Sequence, residues 1–424
     1  MRALPRLATI IVVTLFLAIA AHAAWDWVET RRLVASVETI KANEKPISRQ
    51  QLKAGLQGDN ANADRYYRAA AALASASGQW YPRSMGALGE AMRMGTLTPD
   101  MLAEIRKLVA EEPHATALRL LDQATALPFN GLVPRSSGGG QVMVDLMQLK
   151  ELSDERTTVL AIDGEGDAAA TSLVGGFRLV NVLRSTMNVG VGWRFTVDAV
   201  GRTVFVLSRT QPAQTTLQRL ATSAAEADAN IDDTLKRLFE DRRARTIPRP
   251  GAATRTGVAA WSALRPLNTR RLRLSIDRLT AMSDAMALPW PDRLDAVARL
   301  TGVDSLLVTG TVAEGAGALA LVRCTGAVIA IEGYRRDHGG AVPTRLAELV
   351  PAYLPSVPVD PFSGEELKYT TGPSQYSVYS VWLDRADNRN ILTPRDYAQP
   401  GNSYLQSAQD FGVVIPLVQH QAQR

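Results

Sequence analysis

The 424-residue sequence holds one cysteine, Cys324, and four histidines. A single thiol excludes an intrachain disulfide and any cysteine-based zinc site within the chain, so packing must hold the fold. The Gly-x-Ser-x-Gly and Ser-x-x-Lys patterns are both missing, and no histidine sits in a triad-like context, which leaves nucleophilic catalysis without a recognisable set. A strong excess of one charge is also lacking. The 47 Lys+Arg against 42 Asp+Glu give +5, which falls to +3 once Arg2 and Arg6 are set aside as part of the N-terminal segment. That balance is too small over this length to mark a nucleic-acid binder.

What the sequence does have is one long apolar run. Arg2 and Arg6 precede Leu7 to Ala24, interrupted only by Thr9, Thr14 and His22. Arginines before such a run favour holding the N-terminus in the cytoplasm and sending the remainder across the membrane. The 18 residues approach a spanning length, while Ala21-His22-Ala23 offers a small-x-small cleavage pattern. Trp25 and Trp27 stand where an interfacial aromatic belt would lie, and the helical pattern continues unbroken to Lys41. This favours an uncleaved single-pass anchor over residues 1–24 in the inner membrane, with a periplasmic body; a cut signal would export the same body.

The rest reads as mainly α. Ser48 and Gln51 form a capping box, and Asn60 to Ser77 is an alanine-rich helix. Thr98 caps a helix with Pro99 in its first turn, after which Leu102, Ile105, Leu108 and Val109 recur at helical spacing. The glycine run ending at Gly140 is a loop. Helical patterns follow over Val142 to Ile162, Asp167 to Met187, Thr215 to Arg243, Leu272 to Met286 and Pro291 to Leu300, with Pro248-Arg249-Pro250-Gly251 as a flexible crossing. Near Ala318 the character changes to one long apolar helix, a short helix around Leu346, and strand-like runs at Leu367 to Thr371 and Tyr376 to Trp382. The expected layout is a helical extracytoplasmic domain over 25–311, a small helix plus antiparallel β-hairpin module (α+β) over 314–392, and an irregular tail over 393–424.

The segment Tyr334-Arg335-Arg336-Asp337-His338-Gly339 leads into Val342-Pro343-Thr344 and Leu346-Ala347-Glu348-Leu349-Val350-Pro351. Tyr353-Leu354-Pro355, Val357-Pro358-Val359-Asp360-Pro361-Phe362 and Tyr376 to Ser380 complete the order. This ending resembles the soluble part of type II secretion major pseudopilins, in which a long helix ends in a Tyr-Arg-x-Asp-x-Gly turn. It is also similar to a wider group of membrane-anchored bacterial proteins with the same ending, whose early Asn-Ala-x-x-Tyr-Tyr-Arg-Ala pattern matches Asn62 to Ala69. The likeness does not reach the N-terminus, because the glycine and glutamate that flank a pseudopilin's processed first helix are absent around Leu7 to Ala24. Elementary physics reads the same turn plainly: Arg335 and Arg336 suit the negative end of a helix, and Gly339 suits a left-handed C-terminal turn.

The resemblance implies calcium bound in the loop after the last strand of the module, where Asp384, Asp387, Asn388 and Asn390 supply hard oxygen ligands. The alternative is a solvated turn, since Arg385 and Arg389 share that loop. Asp163-Gly164-Glu165-Gly166-Asp167 lacks EF-hand spacing and reads as a turn with Asp167 opening the next helix. His338 belongs to the helix-end turn, and Cys324 reads as a small buried residue. The basic runs Arg242-Arg243-Ala244-Arg245 and Arg270-Arg271-Leu272-Arg273 fit acidic headgroups, a partner, or a solvated helix face. The function expected from all this is a membrane-tethered scaffold or interaction protein with envelope protein partners. Its alternatives are an extracytoplasmic enzyme using carboxylates such as Glu104, Asp145, Glu155 or Asp228, and an atypical pseudopilin-like subunit of a secretion system.

Overall fold

A computed structural model describes residues 3–54, 61–76, 91, 96–127, 139–186, 189–248, 264–300, 305–389, 391–393 and 409–417. Among these the chain is mainly helical, with a small four-stranded mixed sheet. The helices run in the order α1 (Ala3–Ala42), α2 (Arg49–Ala54), α3 (Ala61–Ala74), α4 (Pro99–Ala110), α5 (His114–Thr125) and α6 (Gly139–Ile162). They continue with α7 (Gly166–Thr186), α8 (Val189–Leu207), α9 (Gln214–Thr246), α10 (Arg265–Ala285), α11 (Asp292–Arg299) and α12 (Ser305–Asp337). A 3-10 turn (Leu346–Leu349) precedes β1 (Lys368–Thr371), β2 (Gln375–Ser380), β3 (Ile391–Leu392) and β4 (Asp410–Pro416). The chain divides into two compact units, residues 1–55 with 236–287, and residues 56–235 with 288–424.

The smaller unit is built on α1. Its apolar first half stands exposed, with Ile10 through Ile19 showing bare side chains. The pattern changes in the second half, where Glu29, Leu33, Val37 and Ile40 fall on one helix face and turn inward. That face meets Leu272 and Ile276 of α10, and Ile247 at the end of α9 completes the core. Burying one such aliphatic side chain contributes about 1.5–3 kcal/mol, so these few residues carry most of the packing energy here. Ion pairs fix the register: Asp26 with Arg265 at 3.1 Å, Glu29 with Arg273 at 3.4 Å, and Lys45 with Asp284 at 2.5 Å. Partner numbers rise together along both helices, so α1 and α10 are parallel. At the start of α2, Ser48 Oγ accepts from Gln51 N at 3.3 Å, and the Gln51 side chain reaches back to Ile47 N at 2.9 Å. The box thus closes one residue earlier than its usual form.

The larger unit stacks α3 to α8 against one another through faces such as Tyr67, Ala70 and Ala71 on α3, Leu118 and Leu121 on α5, and Leu149 and Leu152 on α6. Thr98 Oγ1 accepts from Met101 N at 3.2 Å and caps α4, with Pro99 opening the helix. The apolar α12 lies inside this unit, nearly all of its 312–331 stretch buried. One side meets α8 and the other the sheet. Gly317 sits at the tightest point, where an added Cβ would stand 2.8 Å from Trp193 Cζ3 and closer still to Trp382. Around it gather Trp193 of α8, Trp382, Phe362 and Phe411, with ring centroids 4.8–5.7 Å apart.

The sheet order is β1-β2-β4-β3. β1 and β2 pair antiparallel with Tyr369 opposite Val378, and β2 pairs antiparallel with β4, placing Val378 opposite Val413. β3 runs parallel to β4. The antiparallel hairpin therefore exists, but it is half of a mixed sheet. The tail expected to be irregular over 393–424 supplies β4, whose Phe411, Val413 and Ile415 all point into the core. A Gly at position 412 and a Pro at 416 hide this strand from propensity alone, yet its every-second-residue apolar face is what the half-built sheet needs.

Candidate functional site

The turn at the end of α12 closes on itself. Gly339 takes φ +64°, and Gly340 N donates to Arg335 O at 2.7 Å. His338 stacks on Tyr334 with centroids 3.8 Å apart, and its Nδ1 lies 2.8 Å from Tyr334 O. Tyr353 OH donates to Asp337 at 2.7 Å, which pushes the phenol up to about 12. Each group is thereby used in joining the helix end to the segment that follows.

Asp360 ties that segment to the sheet. Its carboxylate accepts from Phe362 N at 2.9 Å, Ser380 Oγ at 2.8 Å and Val381 N at 2.9 Å. Burial nevertheless pushes its pKa up, against the pull of those donors. A carboxylate so enclosed is a structural knot between strand β2 and the proline-rich connection.

Immediately after β2 the chain enters the loop 382–389, where Trp382, Arg385 and Arg389 adopt φ of 59°, 57° and 55°. Left-handed backbone costs a non-glycine residue about 1–2 kcal/mol, so three such residues in one loop need surrounding contacts to hold them. Those contacts are present. Trp382 is locked in the aromatic cluster, and Arg385 pairs with Asp295 of α11 at 2.7 Å, which holds that carboxyl below its usual range. Asp384 accepts from Ala386 N at 3.1 Å and from the Asn388 amide at 2.7 Å, while Asp387 accepts from Tyr379 OH at 3.1 Å. Asp410 of β4 lies beneath the loop, fully buried, its pKa raised by that burial. The N–H groups of Asn388 and Arg389 approach its carboxylate and favour the charged form, without completing well-aligned hydrogen bonds.

The oxygens named for calcium thus lie in one loop, but each of Asp384, Asp387 and Asn388 faces a protein partner. Among the described residues no group of three or more His, Cys, Asp or Glu converges as a metal would need. Asn390 lies outside the described residues.

The carboxylates of the enzymatic alternative are not drawn together. Glu104 is exposed on α4, Asp145 accepts from Gln141 at 2.7 Å, Glu155 is buried in α6, and Asp228 on α9 pairs with Arg323 of α12 at 2.9 Å. Cys324 is fully buried, which drives its thiol well above the usual range. Asp167 opens α7 and accepts from Ala213 N at 2.6 Å, which lowers its pKa. Sequence reasoning missed a charged knot inside the helical stack: Lys150, 1% exposed, meets both oxygens of Asp154 at 2.6 Å. Asp198 of α8 stands near them, its pKa raised by desolvation and lowered in part by Lys150. The i,i+4 spacing of Lys150 and Asp154 was the available signal, but surface helices carry the same spacing.

Among the described residues two helices are long and apolar enough to cross a membrane: the apolar stretch in α12 is mostly buried, and the one in α1 is not buried at all. The first is a core helix. The second carries its apolar side chains outward at Ile10, Val12, Leu15, Phe16 and Ile19. Comparison with known protein families, with curated proteins and with solved structures finds no match to this chain.

Proposed function

We propose that this chain is a membrane-tethered scaffold or interaction protein. In this reading residues 7–24 of α1 span the inner membrane once, the chain after residue 24 lies in the periplasm, and the pseudopilin-like C-terminal module engages an envelope assembly. One observation carries it: an 18-residue apolar stretch of α1 is wholly uncovered by the rest of the chain, a surface that water tolerates poorly and a bilayer stabilises. The absence of sequence motifs for catalysis, and the dispersal of Glu104, Asp145, Glu155 and Asp228, favour an interaction role over an enzymatic one.

The test is gentle detergent extraction of the full-length chain from its native membrane, with its N-terminus read by mass spectrometry, alongside a full-length chain in which two exposed charges of the module are reversed, Arg345→Glu and Glu365→Arg. The reading expects a Met1-containing chain that resists alkaline carbonate. Partners recovered with the wild-type chain are lost on charge reversal while membrane retention and thermal stability persist. A chain starting near Ala24 in the soluble fraction removes the anchor, and unaltered native complexes after charge reversal remove the interaction role of the module.

A further inference from the structure

The parallel pairing of α1 with α10 has a geometric result. The Asp26–Arg265 pair at 3.1 Å sets the first turn of α10 level with the residues that directly follow the apolar stretch of α1. At that level α1 presents Trp25 and Trp27, both exposed, with the Arg31 guanidinium 4.1 Å from the Trp27 ring. Beside them α10 presents Leu264, 59% exposed, and Leu267. Arg265, Arg270, Arg271 and Arg273 follow, and α10 has no acidic residue before Asp277. Arg265 and Arg273 are matched by Asp26 and Glu29. Arg270 and Arg271 are exposed and make no ion pair among the described residues.

We propose that the first two turns of α10 form a second membrane contact, seated on the anionic phospholipid headgroups around α1. The inference rests on the anchor reading above. At 1.5 Å per residue, Arg270 and Arg271 lie about 8–9 Å beyond Arg265 along the axis. Cα–Cβ bonds tilt toward a helix's N-terminus, and because the helices are parallel the arginine arms lean back toward the bilayer. The headgroup layer and one Debye length cover that distance. Exposed leucines on an arginine-rich helix face, flanked by tryptophans, are the composition of an interfacial surface. The bilayer is therefore the occupant that matches charge, apolarity and position at once.

The experiment uses the full chain in nanodiscs of phosphatidylcholine alone or with about one third phosphatidylglycerol, a fraction that sets a negative surface potential. An environment-sensitive fluorophore is placed by Leu267→Cys, the native Cys324 being fully buried. A separate Phe16→Cys label reports the anchor. The proposal expects the position-267 label to be quenched by doxyl-labelled lipid roughly twofold or more strongly in anionic discs, where each arginine adds attraction. Arg270→Gln with Arg271→Gln should return it to the level seen in phosphatidylcholine, as should raised salt. Glycerol phosphate added to phosphatidylcholine discs should leave the label unmoved, which distinguishes a lipid surface from free phosphate. Equal water exposure of the position-267 label in both discs, with the Phe16 label quenched, overturns this proposal and leaves the anchor standing. An unquenched Phe16 label overturns both.

Discussion

Asp360 accepts three hydrogen bonds, yet burial still pushes its pKa above the ordinary carboxylate value. An acid whose folded pKa lies above its unfolded value, near 3.9, contributes stability that is full below that pH and lost as pH rises through the folded pKa. Asp360→Asn cannot titrate, and its amide would face the Val381 N–H, donor against donor. We expect the variant to be less stable by about 1–3 kcal/mol at pH 4, with the gap to wild type narrowing as pH rises. Chemical denaturation at several pH values reads this directly, and a gap that widens with pH would show that the charged carboxylate is the favoured form. At this scale the sequence was partly legible. Asp360 stood out through its Pro-flanked motif, and Gly339 through its place after two arginines. Asp384, Asp387 and Asn388 share a loop as their spacing implies. What their spacing does not carry is the identity of their neighbours: Tyr379 and the Asn388 amide, satisfying Asp387 and Asp384, are properties of the folded loop. Lys150 was illegible for the same reason, since an i,i+4 pair looks alike on a wet face and in a core.

Among the elements, the helices announced themselves through apolar periodicity and caps, as Thr98 and Pro99 illustrate. The strand β4 did not. It is short, contains Gly412, ends in Pro416 and pairs with β2 more than thirty residues earlier, so no local pattern names its partner. Its place between β2 and β3 makes it one of the two inner strands of the sheet, and Phe411 adds a ring to the cluster around Trp382. We expect Phe411→Ala to destabilise the larger unit by about 3–5 kcal/mol and to shift tryptophan emission to the red as Trp193 and Trp382 meet water. An unchanged spectrum and melting curve would mean that β4 is peripheral to the cluster. The long apolar α12 shows the converse ambiguity. By composition it passes as a membrane span, and only its packing against α8 and the sheet identifies it as a core helix.

For the whole molecule, the proposed topology predicts that alkaline phosphatase fused after Arg424 is active and a cytoplasm-dependent reporter at the same place is silent; the opposite pattern would put the body in the cytoplasm and undo the reading. The division into two units had no signal in the sequence, where a helical region over 25–311 reads as one block. The smaller unit is closed by residues that lie far apart: Asp26 and Lys45 each meet a partner 239 positions later. A chain grows from its N-terminus at about 5–20 residues per second. The face of α1 bearing Leu33, Val37 and Ile40 therefore waits on the order of 10 to 50 s for α10 to be synthesised. Residues 56–235 are made inside that interval. Synthesis thus separates α1 from its mate by the whole first part of the larger unit, and during that delay a chaperone, or another copy of α1, has first access to its uncovered stripe.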